Sequence, residues 1–403
     1  MYLIHNSSPA VAAPLITKDP NLKVETVVTG LSSPTSMAFI DNNNILVLEK
    51  GGQVRLVSNG VLQGKPVLQV SVATESERGL LGIAILNSTK TGTEADNNNK
   101  FVFLYYTESK GGDLRNRVYR YEWNAQNQNL TNPTLILELP ALPGPNHNGG
   151  KLVIGPDHYL YAVIGDLNHR GKLQNIRDGP DPDDTSVILR VNLNDGSPAK
   201  DNPFVNDANT AMHKYYTYGV RNSFGITFDP ITGNLWQTEN GPDVYDEINV
   251  VKPGFNSGWN QVMGPLSRNA GVNTDQLVNF PGSHYADPVF SWKIPVAVTD
   301  IEFMKSSVLG EKYKNNIFVG DYNNGNLYYF EVNTTRTGIK LNLNQQQTGL
   351  SSLVVDNNNQ LSAVTFGTGF GGITDIKTGP TDGFLYVLSI NDGNIYKIVP
   401  STK

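Results

Sequence analysis

The chain has 403 residues, 38% hydrophobic and 17% charged, with a formal net charge of -6 and no cysteine. The missing thiols exclude disulfides, thiolate metal sites, iron–sulfur clusters and a cysteine nucleophile. The acidic balance argues against a nucleic-acid partner, and without a run of about 18 apolar residues no membrane span is predicted.

Residues 1–23 read as an N-terminal arm. A short apolar stretch with small residues at Ala10, Ala12 and Ala13 is consistent with the remnant of a trimmed signal peptide. The surface looks rich in Asn, Thr and Ser, which supports an exported protein, extracellular or periplasmic.

From residue 24 onward helical periodicity is almost absent. Short runs of Val, Ile, Leu, Phe and Tyr alternate with Gly, Asn, Asp and Pro clusters, the pattern of an all-β chain. One phrase recurs: an apolar strand, a polar turn, a second strand, a turn with Gly or Asn, then a third strand. Its copies begin at Ser36, Gly82, Lys151, Phe224, Asp300 and Ile373. Such a unit cannot bury both faces alone, whereas radial stacking buries them and leaves short edges. The prediction is one domain over 24–400, a six-bladed β-propeller of four-stranded antiparallel blades. The long loops, at 140–150, 165–185 and 240–290, decorate one end.

Three segments carry candidate chemistry. His147 lies in a Gly/Pro/Asn loop, Leu142-Pro143-Gly144-Pro145-Asn146-His147-Asn148-Gly149-Gly150, entering a strand. An imidazole there suits proton transfer near neutral pH; the plainer reading is a polar surface loop. In Tyr218-Gly219-Val220-Arg221-Asn222 the Arg-Asn pair suits donation to a carbonyl or carboxylate, or a tie between blades. The turn from Thr238 to Asn249 gathers Glu239, Asp243, Asp246 and Glu247 around Gly241-Pro242. Hard oxygen donors favour Ca²⁺ over a transition metal; a solvated acidic turn is the alternative.

Together these segments resemble the glucose/sorbosone dehydrogenase family, soluble quinoproteins that use pyrroloquinoline quinone (PQQ). The matching phrases are Arg78-Gly79-Leu80-Leu81-Gly82-Ile83-Ala84, His147-Asn148-Gly149-Gly150-Lys151-Leu152, Leu160-Tyr161-Ala162-Val163-Ile164-Gly165-Asp166, Asp201-Asn202-Pro203-Phe204, Arg221-Asn222, and Glu239-Asn240-Gly241-Pro242 followed by Asp246-Glu247-Ile248-Asn249. The resemblance implies oxidation of an aldose at C1 to the lactone, with PQQ and Ca²⁺ as cofactors. The partners it implies are a sugar substrate and an external electron acceptor, in a monomer or homodimer. It implies His147 as catalytic base, Arg221 at the reacting quinone carbonyl, and Asn222, Glu77, Asn323, Thr374 and the aromatic Trp292 lining the cofactor pocket. The carbonyls of Gly241 and Pro242 would hold the active-site Ca²⁺, and Glu247 with the carbonyl of Ser257 a second ion.

The departures fall on the carboxylate side of the cofactor. Where glucose-oxidising members carry two arginines in Gly-Arg-x-Arg-Asp, this chain reads Gly371-Gly372-Ile373-Thr374-Asp375, and Asn323 stands where they have a Lys. Lys293 is a candidate replacement charge. A calcium-dependent lactonase-like hydrolase and a non-catalytic calcium-stabilised binding propeller are the alternatives these losses leave open.

Overall fold

The computed structural model describes residues 14–87, 100–350 and 352–401. Part of the arm, residues 1–13, lies outside them. Ile16–Thr17 and Leu22–Val28, also expected in or beside the arm, pair into sheets.

The chain is an all-β propeller. The innermost strands of its sheets touch their neighbours in cyclic order: Pro34–Phe39, Leu80–Asn87, Leu152–Ile154, Gly225–Phe228, Val298–Phe303 and Ile373–Thr378, which returns to Pro34–Phe39. The second strand in these sheets is buried on both faces, as in Asn44–Glu49, Tyr159–Ile164 and Leu385–Ser389. That is why these segments read as unbroken apolar runs rather than alternating ones. Outer strands such as Leu22–Val28 face solvent on one side and mix buried with exposed positions.

Between adjacent sheets lie apolar clusters. The largest packs Phe103 and Tyr105 against Leu160, Leu189 and Tyr218. Another joins Trp236 and Phe290 to Ile317 and Phe330. The ring closes where Leu22–Val28 pairs with the last strand, Asn394–Pro400, so one sheet is built from both ends of the chain.

The predicted fold class, a six-bladed propeller of four-stranded antiparallel blades, needs correction. Among the described residues only two sheets have four strands, all antiparallel: the one from Leu80–Asn87 to Asn129–Leu139, and the one that closes the ring. The others have five or six strands. Their extra strands come from the N-terminal arm, from short connections and from the long loops, and include parallel pairs, Tyr218 with Asn256, Phe255 with His284 and Ser291 with Val354. The loops lay short segments along sheet edges whose N–H and C=O groups would otherwise lack partners. Two short helices, Leu343–Gln347 and Asn358–Val364, lie in one of these excursions. Each has an Asn N-cap, Asn342 and Asn357, accepting backbone N–H groups of the first turn.

At the axis the inner strands meet through charge. Lys151 Nζ lies 2.8 Å from Asp300 and 2.9 Å from Asp375, and Lys377 Nζ lies 3.0 Å from Asp300 and also contacts Asp375. Asp375 further accepts the Ser36 hydroxyl and the Met37 N–H. Both aspartates are fully buried. Burial pushes Asp300 up to about 7 in spite of the lysines. Burial also opposes the charge on Asp375, but Lys151 and Lys377 outweigh it and hold this carboxyl well below its usual range. Removing one partner strands the others without water. Asp375→Ala is therefore expected to lower the unfolding free energy by about 3–5 kcal/mol, measured by urea denaturation; a change within experimental error would contradict the cluster's structural role.

Candidate functional site

The inner strands and their connecting loops enclose a cavity of about 540 Å³ at one end of the axis. Its lining brings together residues from distant parts of the chain: Glu77, His147, Arg221, Asn222, Gly241, Pro242, Asn323 and Thr374. Two of the predicted set, Glu247 and Ser257, lie behind this wall, and Trp292 lies elsewhere.

His147 sits at the end of its proline-rich loop with φ of 62°, a left-handed conformation costly for a residue with a Cβ. Glu77 holds it there: one carboxylate oxygen accepts the His147 N–H at 2.6 Å, the Asn148 N–H at 3.3 Å and the Asn222 side-chain amide at 3.0 Å. Glu77 thus ties the His147 and Asn222 loops together. Gly165 lets their backbones approach. A Cβ on it would fall 2.5 Å from the carbonyl oxygens of both His147 and Arg221.

The next residue, Asp166, completes the arrangement. Its Oδ1 lies 2.5 Å from His147 Nδ1, and Oδ2 accepts the Trp259 indole N–H at 2.7 Å. With Nδ1 committed as donor to a carboxylate, the imidazole keeps its lone pair at Nε2, the form needed to accept a proton.

The Arg221 N–H donates to buried Glu239 at 2.7 Å, while its guanidinium donates to the Asn240 carbonyl at 3.0 Å and lies over the Trp259 ring, 5.3 Å from its centroid. Burial lowers the Arg221 pKa from its ordinary value. Three buried polar atoms of lining residues have no hydrogen-bond partner: Arg221 Nε, Asn222 Oδ1 and Thr299 Oγ1. Buried polar atoms are ordinarily paired; of these, Arg221 Nε and the Thr299 hydroxyl are donors that suit the oxygens of a quinone or carboxylate, and Asn222 Oδ1 is an acceptor that suits a ring N–H.

Behind Gly241 and Pro242 is a buried acidic cluster. Asp246 accepts the N–H groups of Gly241, Val296, Ala297 and Val298, at 3.0, 2.8, 2.7 and 3.3 Å; burial nevertheless raises it to about 6. Glu239 and Glu247 face each other across paired strands. Glu239 accepts the Ser257 hydroxyl at 2.5 Å, and Glu247 accepts the Asn249 amide at 3.1 Å. Burial pushes Glu239 up to about 7, and burial together with the Glu239 charge pushes Glu247 well above the carboxylate range. Among the described residues no group of three or more His, Asp or Glu is arranged as a metal cage. The donor set is nonetheless all oxygen, with two adjacent carboxylates whose repulsion a cation would relieve, and this chemistry fits Ca²⁺.

The sequence reading of Trp292 is corrected. The residue is fully buried between two sheets, packed on Phe290, Tyr328 and Phe330. It belongs to a strand, Phe290–Trp292, that is buried throughout. The aromatic residues on the cavity are Phe224 and Tyr322, and Trp259 supports His147 and Arg221 through Asp166 and the stacked guanidinium. Lys293 is exposed and is not part of the lining. Thr374 lines the cavity, its hydroxyl donating to the Pro34 carbonyl at 3.0 Å, while neighbouring Asp375 turns to the axial cluster. Asp166 and Trp259 were missed as site residues, whereas Glu239 was read within the acidic turn. Asp166 closes the phrase 160–166 and Glu239 opens the phrase 239–242, but only the fold aims them.

The elevated pKa of Glu239 fixes a sign. A carboxyl raised from 4.5 to about 7 contributes stability that is present below pH 4.5 and lost as pH rises through 7. In calcium-free buffer the melting temperature of the wild type is expected to fall between pH 5 and 8 relative to that of Glu239→Gln. Parallel pH profiles would show that this carboxyl is not perturbed.

Comparison with known proteins follows the same lines. A family model described as Glucose / Sorbosone dehydrogenase matches residues 31–397. The aldose sugar dehydrogenase YliI of Escherichia coli is 27% identical over 99% of this chain and 97% of its own length. A solved structure from Thermus thermophilus, titled a putative oxidoreductase (glucose dehydrogenase), superposes with a TM-score of 0.70 at 27% identity, covering 94% of this chain and all of that one. The PQQ-bound aldose sugar dehydrogenase of Streptomyces coelicolor, at 23% identity and a TM-score of 0.67 over 94% of this chain and 98% of that one, shares the fold. The chain therefore belongs to the glucose/sorbosone dehydrogenase family.

Proposed function

We propose that this protein is a PQQ- and Ca²⁺-dependent oxidoreductase that converts an aldose to its lactone at C1 and passes the electrons to an external acceptor. The single observation that carries this reading is the shared cavity: an Asp166-oriented imidazole, an arginine and an asparagine line the same space. PQQ, when bound, supplies the two-electron sink for the hydride leaving C1.

The protein's own residues supply the rest. His147 Nε2 takes the proton of the C1 hydroxyl as the C1–H bond breaks. Asp166 holds the ring in the accepting tautomer and stabilises the imidazolium that forms. Arg221 and Asn222 donate to a quinone oxygen and stabilise the negative charge developing there. Glu77 keeps both donor and acceptor loops in register. Calcium would be held at the cavity by the carbonyls of Gly241 and Pro242, and behind it by Glu247, Ser257 and Glu239. Asn323 and Thr374 would add neutral contacts to the cofactor.

No helix among the described residues is long and apolar enough to cross a membrane. We assign the protein to an exported compartment on its Asn-, Thr- and Ser-rich surface.

Purified protein supplied with PQQ and Ca²⁺ is expected to reduce a dye acceptor in the presence of an aldose. His147→Gln should lower kcat by about 10²- to 10⁴-fold with PQQ binding retained. Full turnover by that variant, or aldose-dependent dye reduction without PQQ, would overturn the assignment.

A further inference from the structure

PQQ is a tricarboxylate, and a cavity that holds it must offset negative charge. Three cationic side chains line the cavity: Lys50, Lys151 and Arg221. Two are already committed. Lys151 is buried and ion-paired to both Asp300 and Asp375 at the axis. Arg221 is held in the wall beside His147, its guanidinium donating to the Asn240 carbonyl and stacked on Trp259.

Lys50 differs. Its Nζ donates to the Ser76 carbonyl, and among the described residues it makes no ion pair. The acidic groups nearest in the chain are taken. Glu49 pairs with Arg55 at 3.3 Å and accepts the Ser32 N–H at 2.7 Å. Glu75 pairs with Arg78 at 3.1 Å. One oxygen of Glu77 is occupied by the His147 and Asn148 N–H groups and the Asn222 amide.

The stem of Lys50 is also fixed. It lies against Gly79, where a Cβ would stand 2.7 Å from Lys50 Cγ and 2.8 Å from its carbonyl oxygen. Gly79 has φ of +154°, a conformation that side chains rarely adopt. The chain thus keeps a glycine where the lysine must pass to reach the cavity. Lys50 reaches the loop holding Ser76 and Glu77, while Thr374 donates to the carbonyl of Pro34, the cross-strand partner of Glu49. Lys50, Glu77 and Thr374 all line the same cavity.

We propose that Lys50 binds a carboxylate of the quinone cofactor, supplying the charge that the 371–375 segment and Asn323 do not. The proposal rests on reading the cavity as a PQQ site. A charge-assisted hydrogen bond of this kind is stronger than a neutral one, and Lys50 is partly exposed, so its replacement leaves the core intact.

The test is PQQ binding, measured by fluorescence titration in the presence of Ca²⁺ at low and high salt. Lys50→Gln is expected to raise the Kd about 10- to 100-fold and to flatten its salt dependence. Lys50→Arg should retain most of the affinity. The trimethyl ester of PQQ, which lacks the carboxylate charges, should bind wild type and Lys50→Gln alike. If wild type binds PQQ and Lys50→Gln binds it within twofold, with the same salt dependence, Lys50 is not the anchor and the proposed function stands. If wild type does not bind PQQ at micromolar concentration with calcium, both readings fall.

Discussion

Three ionisable groups at the propeller axis, Lys151, Asp300 and Asp375, leave water together with a half-buried fourth, Lys377, beside them, and the buried three are tolerated because they are paired. Isolated burial of any one would cost several kcal/mol. Their pairing joins the inner strands Val298–Phe303 and Ile373–Thr378 to the start of Leu152–Ile154, and Asp375 adds Pro34–Phe39 through Ser36 and Met37. Lys151 also lines the cavity and is four residues from His147. The cavity and the axial ties are therefore built from one set of strands and loops. Displacing the axial charges would shift the loops that line the cavity.

Above that floor, one carboxylate organises the wall. Glu77 binds the His147 loop and the Asn222 side chain with a single oxygen, and Gly165 provides the space in which the His147 and Arg221 backbones meet. Asp166 then sets the tautomer of His147 while bonding to Trp259, whose ring lies under Arg221. His147 and Arg221 are thus positioned by overlapping partners. Such preorganisation is what the proposed hydride transfer would require. The left-handed backbone at His147 is the local strain that this network holds in place.

Much of the fold was legible because strands buried on both faces leave long apolar runs between turn residues. The cavity-lining loops were legible because His147, Arg221, Gly241 and Pro242 stand in ordered phrases. Other features had no local signature. The parallel edge strands at Phe255–Asn256 and Val354–Val355 are two residues long and form only because a sheet edge lies nearby. Trp292 was misread because a buried core tryptophan and a pocket tryptophan are identical in sequence; the packing of Phe290, Tyr328 and Phe330 around it decides the matter. Asp166 lies just past the strand Tyr159–Ile164 and Glu239 ends the strand Leu235–Glu239, and only the closed ring shows that one faces an imidazole and the other a second buried carboxylate. Lys50 lies almost a hundred residues before His147, so its place on the same cavity is a property of topology alone.

The most direct measurement is a crystal structure of the protein grown with PQQ and Ca²⁺ at saturating concentration. The account predicts quinone density in the cavity, with a quinone oxygen within hydrogen-bond distance of Arg221 or Asn222 and the His147 ring facing the same edge. A cavity holding only water under those conditions, or a quinone bound away from His147 and Arg221, would contradict it.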